Sequence, residues 1–597
     1  MQILADVIKN HQQNFSSSIK LDPKNFWNYF NNKKRVTAAE SMTYKGELVD
    51  DPEMLTNCFA EFFKSSFQTS SYESRQNDKH ESSNYFNLNE ISTDDISIAI
   101  KKLKPKKAAG DDDIPPYLVK ACAESLLKPL HILFNLMLKG SYIPEQFKIS
   151  RVTPVPKKKD SMRVEGHRAI CVSNVFMKVF ESIICDYFYS CVSGSISPFQ
   201  HGFVKGRSTN TNLLYFTEEV ANALKNHLQV DVCYLDLEKA FEKIDHALIL
   251  DSLLQLGFSE NLVKLVDSFL KNRKLYVRFL GKDSEMYTAT SGVPAGCLFG
   301  PLLFIISINN IGSCLKVSSM AAYCDDVRLT KVITSKEDCL AFQEDINRIF
   351  KWCEKHNFSM NTGKTNIISF SRKKEIIKHN YQVDSVTLNR VESISDLGVI
   401  FDSRLMFTDH FKKITADANR ILGFIIRNCK HVNDIDIILL LYYTFVRSKL
   451  EYNACVWNPE FKKWSKLIES VQARIVRYLF WKANGFYPSF PEVISYDLLR
   501  ENLGLESLEK RRDISQLQLV WKIFNSKIDC THLLSLFNIN VPDVRLRNAK
   551  QIFFKNTGNL NLRTPISKIS VCFNENYDKN IDISMTWSSF KKSLGQL

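Results

Sequence analysis

Three aspartates stand out by where they fall in the hydrophobic pattern. In Val230–His246, VDVCYLDLEKAFEKIDH, the apolar residues read as a strand up to Asp236, which sits where the strand ends and a helical LEKAFEKI begins. In Ser318–Ile333, SSMAAYCDDVRLTKVI, two short apolar strands flank a tight turn bearing Cys324, Asp325 and Asp326. A carboxylate at a strand's end faces the mouth of a sheet, where ligands bind. Either segment alone has a plain structural explanation. A strand-end Asp caps or salt-bridges, and adjacent turn aspartates are common because Asp hydrogen-bonds its own backbone. Together they supply the parts of a nucleotidyl-transfer site. Such a site needs carboxylates from two strands converging on hard cations about 3.5–4 Å apart, one activating an attacking 3′-oxygen and one steadying pyrophosphate.

Those strands need a scaffold, and the chain supplies an α/β one. Residues 51–67 place Leu55, Phe59, Phe62, Phe63 and Phe67 at helical spacing, and the polar stretch 68–84 reads as a linker. Ser92 is a candidate N-cap before Ile96, Ile100 and Leu103. From there to about Phe401 apolar strands alternate with helices, as in a mixed α/β domain. After Thr408 the pattern is helical: Phe411, Ile414, Ala418, Ile421, Leu422 and Ile425 form one stripe, followed by helices over 435–450, 464–480 and 502–527. The expected division is 1–90, a helical extension and linker; 91–407, the α/β part; 408–482, a helical unit; and 483–597, a mostly helical region.

Composition sets bounds. The chain has 597 residues, 44% hydrophobic and 24% charged, which is ordinary for a folded protein of several domains. Its formal charge of +14 favours a polyanionic partner, since each neutralised phosphate releases counterions. Fifteen cysteines without a CxxC pair argue against a disulfide framework and against a zinc ribbon. No basic-then-apolar leader opens the sequence, and its longest apolar runs fall short of the roughly 20 residues of a membrane span. The expected location is intracellular, nuclear and/or cytoplasmic, not secreted and not in a membrane.

Taken in order, these segments resemble the reverse transcriptases of non-LTR (LINE-type, jockey-like) retrotransposons. That family shows an Asp followed by KAFD, an SGVPQGS loop, a (F/Y)ADD hairpin and a WC…N…K segment. Here stand Asp236 with KAFE, SGVPAGC (Ser291–Cys297), YCDD (Tyr323–Asp326), and Trp352, Cys353, Asn361 and Lys364. Upstream, residues 100–115, VTPVPKKKDSMRVEGHRAI (Val152–Ile170) and FQHGFVKGRSTNTNLL (Phe199–Leu214) resemble finger blocks. Downstream, SDLGVIFD (Ser395–Asp402) resembles the primer-holding hairpin, and LEYNACVWNP and VQARIVR the thumb.

The resemblance implies a right-hand architecture: α/β palm and fingers, then a mostly helical thumb and C-terminal region. It implies an RNA-directed DNA polymerase that binds an RNA template, a DNA primer and its product, and deoxynucleoside triphosphates, with Mg2+ (or Mn2+) as cofactor. By the same resemblance Asp236, Asp325 and Asp326, with the Leu237 carbonyl, would hold metal. Lys364 would protonate pyrophosphate, and Arg168 with Lys157 or Lys158 would clamp the triphosphate. Phe241 would exclude a ribose 2′-OH, and Gly292 and Gly296 would let backbone approach template and nucleotide. The segment ahead of the polymerase is too short for the endonuclease many such elements carry, so the expectation is a polymerase portion without it.

The sequence departs from the family at Glu242 of KAFE, Ala295 and Cys297 of PAGC, Cys324 of CDD and Asn310 of INN, and GPDG reads GDDD at Gly110–Asp113. None of these is a metal-binding aspartate. They keep open a second reading, a catalytically impaired nucleic-acid-binding remnant. A third, RNA-directed RNA synthesis, is disfavoured by Phe241.

Overall fold

The computed structural model describes residues 16–34, 41–69, 86–157, 161–488, 494–540, 554–555, 564–577 and 581–595. Helix α1 (Pro52–Lys64) starts at Asp51, whose carboxylate accepts from the Met54 N–H at 2.7 Å, and buries Leu55, Phe59 and Phe63. Helix α2 (Thr93–Lys102) opens with the expected Ser92 cap, closed into a capping box by Asp95, and is followed by α3 (Ala123–Gly140). Strands β1 (Ile149–Pro156) and β2 (His167–Ser173) lead into α4 (Val175–Val192) and α5 (Thr209–Lys225). Next come β3 (Gln229–Asp236), the short α6 (Ala240–Lys243), β4 (Arg273–Phe279) and α7 (Gly300–Ile308). The hairpin β5 (Ser319–Tyr323) and β6 (Asp326–Ile333) precedes α8 (Lys336–Lys355), β7 (Asn366–Phe370), β8 (Asn389–Arg390) and a second hairpin, β9 (Ser393–Asp396) and β10 (Val399–Asp402). The rest is helical, including α9 (Thr408–Asn428), α10 (Lys462–Asn484), α11 (Leu508–Phe524) and α12 (Pro565–Tyr577).

Two five-stranded sheets organise the first part. One has order β8-β7-β3-β6-β5, with β3 antiparallel to both its neighbours. The other runs from β2 through β1 and β4, with β1 and β4 parallel. Strand β3 is covered on both sides, which is why its residues are apolar without a clean alternation. Cys233 and Leu235 face a core built with α2, α3, α4, α7 and α8. Val230 and Val232 face a second core shared with α5, β10 and the helices from α9 to α12. The C-terminal helices thus close one face of the sheet that ends in Asp236.

The N-terminal segment divides. Helix α1 packs with the β1–β4 sheet in a third core through Val152, Leu275 and Val277. Ile19 and Phe26 instead join the core under α9, where Trp27 stacks on Phe424 at 5.0 Å. Two other expectations are corrected. The helix expected from Leu237 starts only at Ala240, because Leu237 bridges Met360 and the Glu238 N–H donates to the Ser359 carbonyl at 2.8 Å, keeping the chain extended past Asp236. The single helix expected over 435–450 is broken by a wide π turn, Tyr442–Arg447, that seats the buried Tyr442 with its hydroxyl donating to Gln472 Oε1 at 2.8 Å. All fifteen cysteines are free thiols. Among the described residues, no helix is long and apolar enough to cross a membrane.

Candidate active site

Pairing register brings the first and last of the three aspartates together. Strands β3 and β6 align Asp236 directly opposite Asp326. Opposed residues of an antiparallel pair project from one face with Cβ atoms about 4.5–5.5 Å apart. Asp325 and Cys324 form the two-residue loop between β5 and β6, and Cys324 takes φ 63°, a conformation hairpins ordinarily give to Gly. The Asp236 carbonyl accepts from the Asn361 N–H at 2.8 Å, which ties the strand end to the turn bearing Lys364.

The charges at this corner repel. Burial pushes the Asp325 carboxyl above its usual range, and the neighbouring charge of Asp236 pushes it further, against the pull of its own N–H and of Arg168. Asp326 is pushed up to about 6, first by lost hydration and then by Asp325 and Asp396, with Arg328 opposing. Arg328, two residues along β6, is buried in an ion pair with Asp396 of β9. It also donates to Asn212 Oδ1 and lies over the Phe216 ring at 4.6 Å. That contact fixes the β9–β10 hairpin against the strand carrying Asp326.

The donor set is hard carboxylate oxygen throughout, which suits Mg2+ or Mn2+ rather than zinc, and a divalent cation would relieve the repulsion just described. Among the described residues, no group of three or more His, Cys, Asp or Glu side chains stands ready-made to hold a metal. Beside Arg168 and Arg328, a further counter-charge is Lys364, whose Nζ lies 3.5 Å from Asp236 Oδ2.

The other expected residues fall around this corner. Leu237 is buried beside Asp236. Arg168 is exposed on β2, opposite Val155, and its charge reaches Asp325. Lys157 is exposed just past β1, with its N–H donating to the Gly166 carbonyl; Lys158 lies outside the described residues. Phe241 stacks on Phe304 at 4.5 Å and 15°, so its ring is fixed by α7. The two loop glycines are required by the chain's own backbone. Gly292 has φ 74°, and a Cβ there would meet the carbonyl oxygens of Glu242 at 2.5 Å and Phe241 at 2.6 Å. Gly296 has φ 109°, with the Cys171 carbonyl 2.9 Å from any Cβ. Of the departures, Cys297 is buried, with its Sγ accepting from the Gly300 N–H at 3.0 Å.

Sequence reasoning assigned no role to Gln200, Gly202, Arg328 or Asp396, all of which touch the hairpin or its support. Arg328 carried a signal, being a cation flanked by Val327 and Leu329 inside a mostly apolar strand. Gln200 and Gly202 lie within the quoted QHGF block but had no chemistry of their own to mark them.

Comparison with known proteins bears on the same stretch of chain. Residues 155–426, which contain every site residue named above, match the family described as reverse transcriptase (RNA-dependent DNA polymerase). The centre of this chain is thus similar to a reverse transcriptase domain. The chain is also homologous to RNA-directed DNA polymerases of non-LTR mobile elements. It is 24% identical over 399 residues to the probable RNA-directed DNA polymerase from transposon X-element of Drosophila melanogaster, covering 64% of this chain and 43% of the relative. It is 26% identical over 335 residues to the polymerase from mobile element jockey of Drosophila funebris, covering 54% and 36%. The probable polymerase from transposon BS of Drosophila melanogaster is 25% identical over 390 residues, covering 62% and 43%. The chain therefore spans less than half the length of these relatives. A solved apo telomerase from Candida tropicalis, truncated from its C-terminal domain, aligns with 47% of this chain and 59% of its own at 12% identity, with a TM-score of 0.31.

Proposed function

We propose that this chain adds deoxynucleotides to a primer 3′-OH along an RNA template. The observation that carries the reading is the register that sets Asp236 against Asp326, with Asp325 in the adjoining turn, inside the matched domain. Asp236, Asp325 and Asp326 would hold Mg2+ (or Mn2+), which when bound supplies Lewis-acid charge for the attacking and leaving oxygens. Arg168, whose charge reaches Asp325, and Lys157, just past β1, bind and orient the triphosphate. Lys364, already beside Asp236, holds a proton where pyrophosphate departs. Phe241, whose ring stacks on Phe304, would exclude a 2′-hydroxyl.

The hand is assigned as 91–407 for palm and fingers, 408–482 for the thumb, 483–597 for the C-terminal region and 1–90 for the extension. Nucleic acid has a surface to follow. Helix α10 exposes Lys463, Lys466, Arg474, Arg477 and Trp481 at three- and four-residue steps along one side, apart from a gap at Ser470. A row of cations at that spacing tracks a phosphate backbone. The setting is intracellular, in nucleus and/or cytoplasm.

Primer extension on an RNA template tests the reading, with wild type compared against Asp325→Ala. Incorporation by wild type that the variant loses is expected. RNA binding with no extension by either protein would replace the polymerase with the impaired remnant, the reading that Ala295 in the Ser291–Cys297 loop favours.

A further inference from the structure

Strand β5 is the edge of its sheet, yet its outer side is not open. The segment Phe199–Gly202, just ahead of α5, lies along it. The Ala322 N–H donates to the Phe199 carbonyl and the His201 N–H to the Ala322 carbonyl, each at 2.9 Å, forming a one-residue parallel bridge between Gln200 and Ala322. The segment is itself anchored, since Arg207 donates to the Ser197 carbonyl at 2.7 Å and the Gln200 carbonyl at 2.6 Å. The His201 ring pairs with Thr211 Oγ1 at 2.8 Å.

From this platform the Gln200 side chain, 4% exposed, reaches the loop of the aspartate hairpin. Its Oε1 accepts from the Cys324 N–H at 2.8 Å and from the Gly202 N–H at 2.9 Å. Its Nε2 donates to the Cys324 carbonyl at 3.4 Å. One amide thus satisfies both backbone groups of the residue that precedes Asp325. The approach is close enough that a Cβ on Gly202 would stand 2.4 Å from the Cys324 nitrogen.

Cys324 is where the hairpin is most strained, a non-glycine residue at φ 63°. Buried backbone donors and acceptors left unpaired make a conformation costly, and a two-residue loop has no other way to turn. We infer that Gln200 is a positioning residue: it holds Cys324 in its left-handed conformation and so aims Asp325 at Asp236. The inference deepens the proposed function and rests on it for the role of Asp325. An amide suits the task because it donates and accepts at once. A carboxylate at 200 keeps the acceptor and loses the donor, and a thioether loses both.

Three full-length variants test this: Gln200→Met, Gln200→Glu and Gly202→Ala. In steady-state primer extension, Gln200→Met is expected to lower kcat at least thirtyfold, with KM for deoxynucleotide and affinity for template–primer within about threefold of wild type. Gln200→Glu should fall between, and Gly202→Ala should resemble Gln200→Met. Mn2+ titration followed by water proton relaxation, without nucleotide, should show binding weakened at least fivefold in the same order. The inference is overturned if Gln200→Met retains kcat and Mn2+ affinity within threefold. It is equally overturned if its loss of kcat is matched by an equal loss of folded protein in near-ultraviolet circular dichroism. Should Gln200→Met not fold, Gln200→Glu carries the same criteria. Weakened Mn2+ binding in the variants, with no extension by wild type, would leave the clamp standing and remove the polymerase reading.

Discussion

Two aspartates five residues apart on β3 have opposite surroundings. Asp231 is completely buried and saturated: Gln229 Nε2 and Ser369 Oγ donate to its Oδ1 at 2.8 and 2.6 Å, and the Tyr381 hydroxyl to Oδ2 at 2.7 Å. Arg390 stands 3.8 Å from Oδ2. Asp236, at the strand's end, faces Asp326 and Asp325 and has one exposed lysine within ion-pair range. The same side chain on the same strand is structural where donors surround it. It is a candidate for chemistry where other carboxylates do. An excess of acceptors over donors distinguishes the candidate corner more sharply than residue type.

The largest expected effects separate the two. Asp236→Asn or Asp325→Ala should remove at least a thousandfold of extension rate, since metal-borne charge stabilisation is worth several kcal/mol. Thermal midpoints should stay level or rise, because one repelling charge is gone. A midpoint falling as far as the activity would erase the contrast. Asp231→Ala should do the reverse. Breaking a buried, charged network costs about 3–5 kcal/mol, while extension per folded molecule at low temperature should stay near wild type. Urea unfolding alongside active-site titration reads both quantities.

This contrast explains how much could be read from sequence. The aspartate hairpin was legible because a two-residue turn between apolar strands is a local signal. The helices α2 and α9 were legible through Ser92 and through the stripe Phe411, Ala418, Leu422 and Ile425, all buried except the cap. The opposition of Asp236 and Asp326 was not, because register between strands ninety residues apart is a tertiary fact; the chemistry of two-metal sites and the family resemblance suggest the convergence without giving the register. Nor was the saturation of Asp231 visible, since its donors Ser369 and Tyr381 arrive from distant segments. The delayed start of α6 was missed for the same reason: the bridge to Met360 overrides local helix propensity.

A third carboxylate sharpens the comparison because it is buried with too few donors and lies outside the hairpin. Glu181 of α4 is 1% exposed; its Oε2 accepts from the Leu298 N–H at 2.8 Å, while among the described residues Oε1 has no hydrogen-bond partner. Burial pushes its carboxyl from 4.5 up to about 7. The folded chain therefore binds a proton that the unfolded chain releases, so this group's stabilisation is full below pH 4.5 and is lost as pH rises toward 7. The loss is about 3 kcal/mol by linkage. Glu181→Gln should flatten that part of the profile, gaining on wild type at pH 8 relative to pH 4.5 in chemical denaturation. Parallel profiles would mean that Glu181 stays ionised in the folded chain, its Oε1 satisfied.

The cations repeat the pattern with the sign reversed, and at smaller scale. Arg273 is buried and donates to the carbonyls of Leu270, Ser291 and Gly292 at 2.7–3.0 Å, so its charge is spent on holding the glycine loop. Arg477 of α10 is exposed, and Arg474, also exposed, donates to Asn419 Oδ1 at 3.3 Å. If surplus donors mark a binding surface as surplus acceptors mark the candidate metal corner, replacing Arg474 and Arg477 with Ala should leave the fold intact and weaken nucleic-acid binding. The logarithmic salt dependence of affinity should drop by about 0.7 per lost contact on a single strand and about 0.9 on a duplex. Arg273→Ala should instead unfold the loop with an unchanged salt slope in whatever remains folded. Equal slopes for the double variant and wild type would return α10 to an ordinary solvated face and confine the comparison to the aspartates.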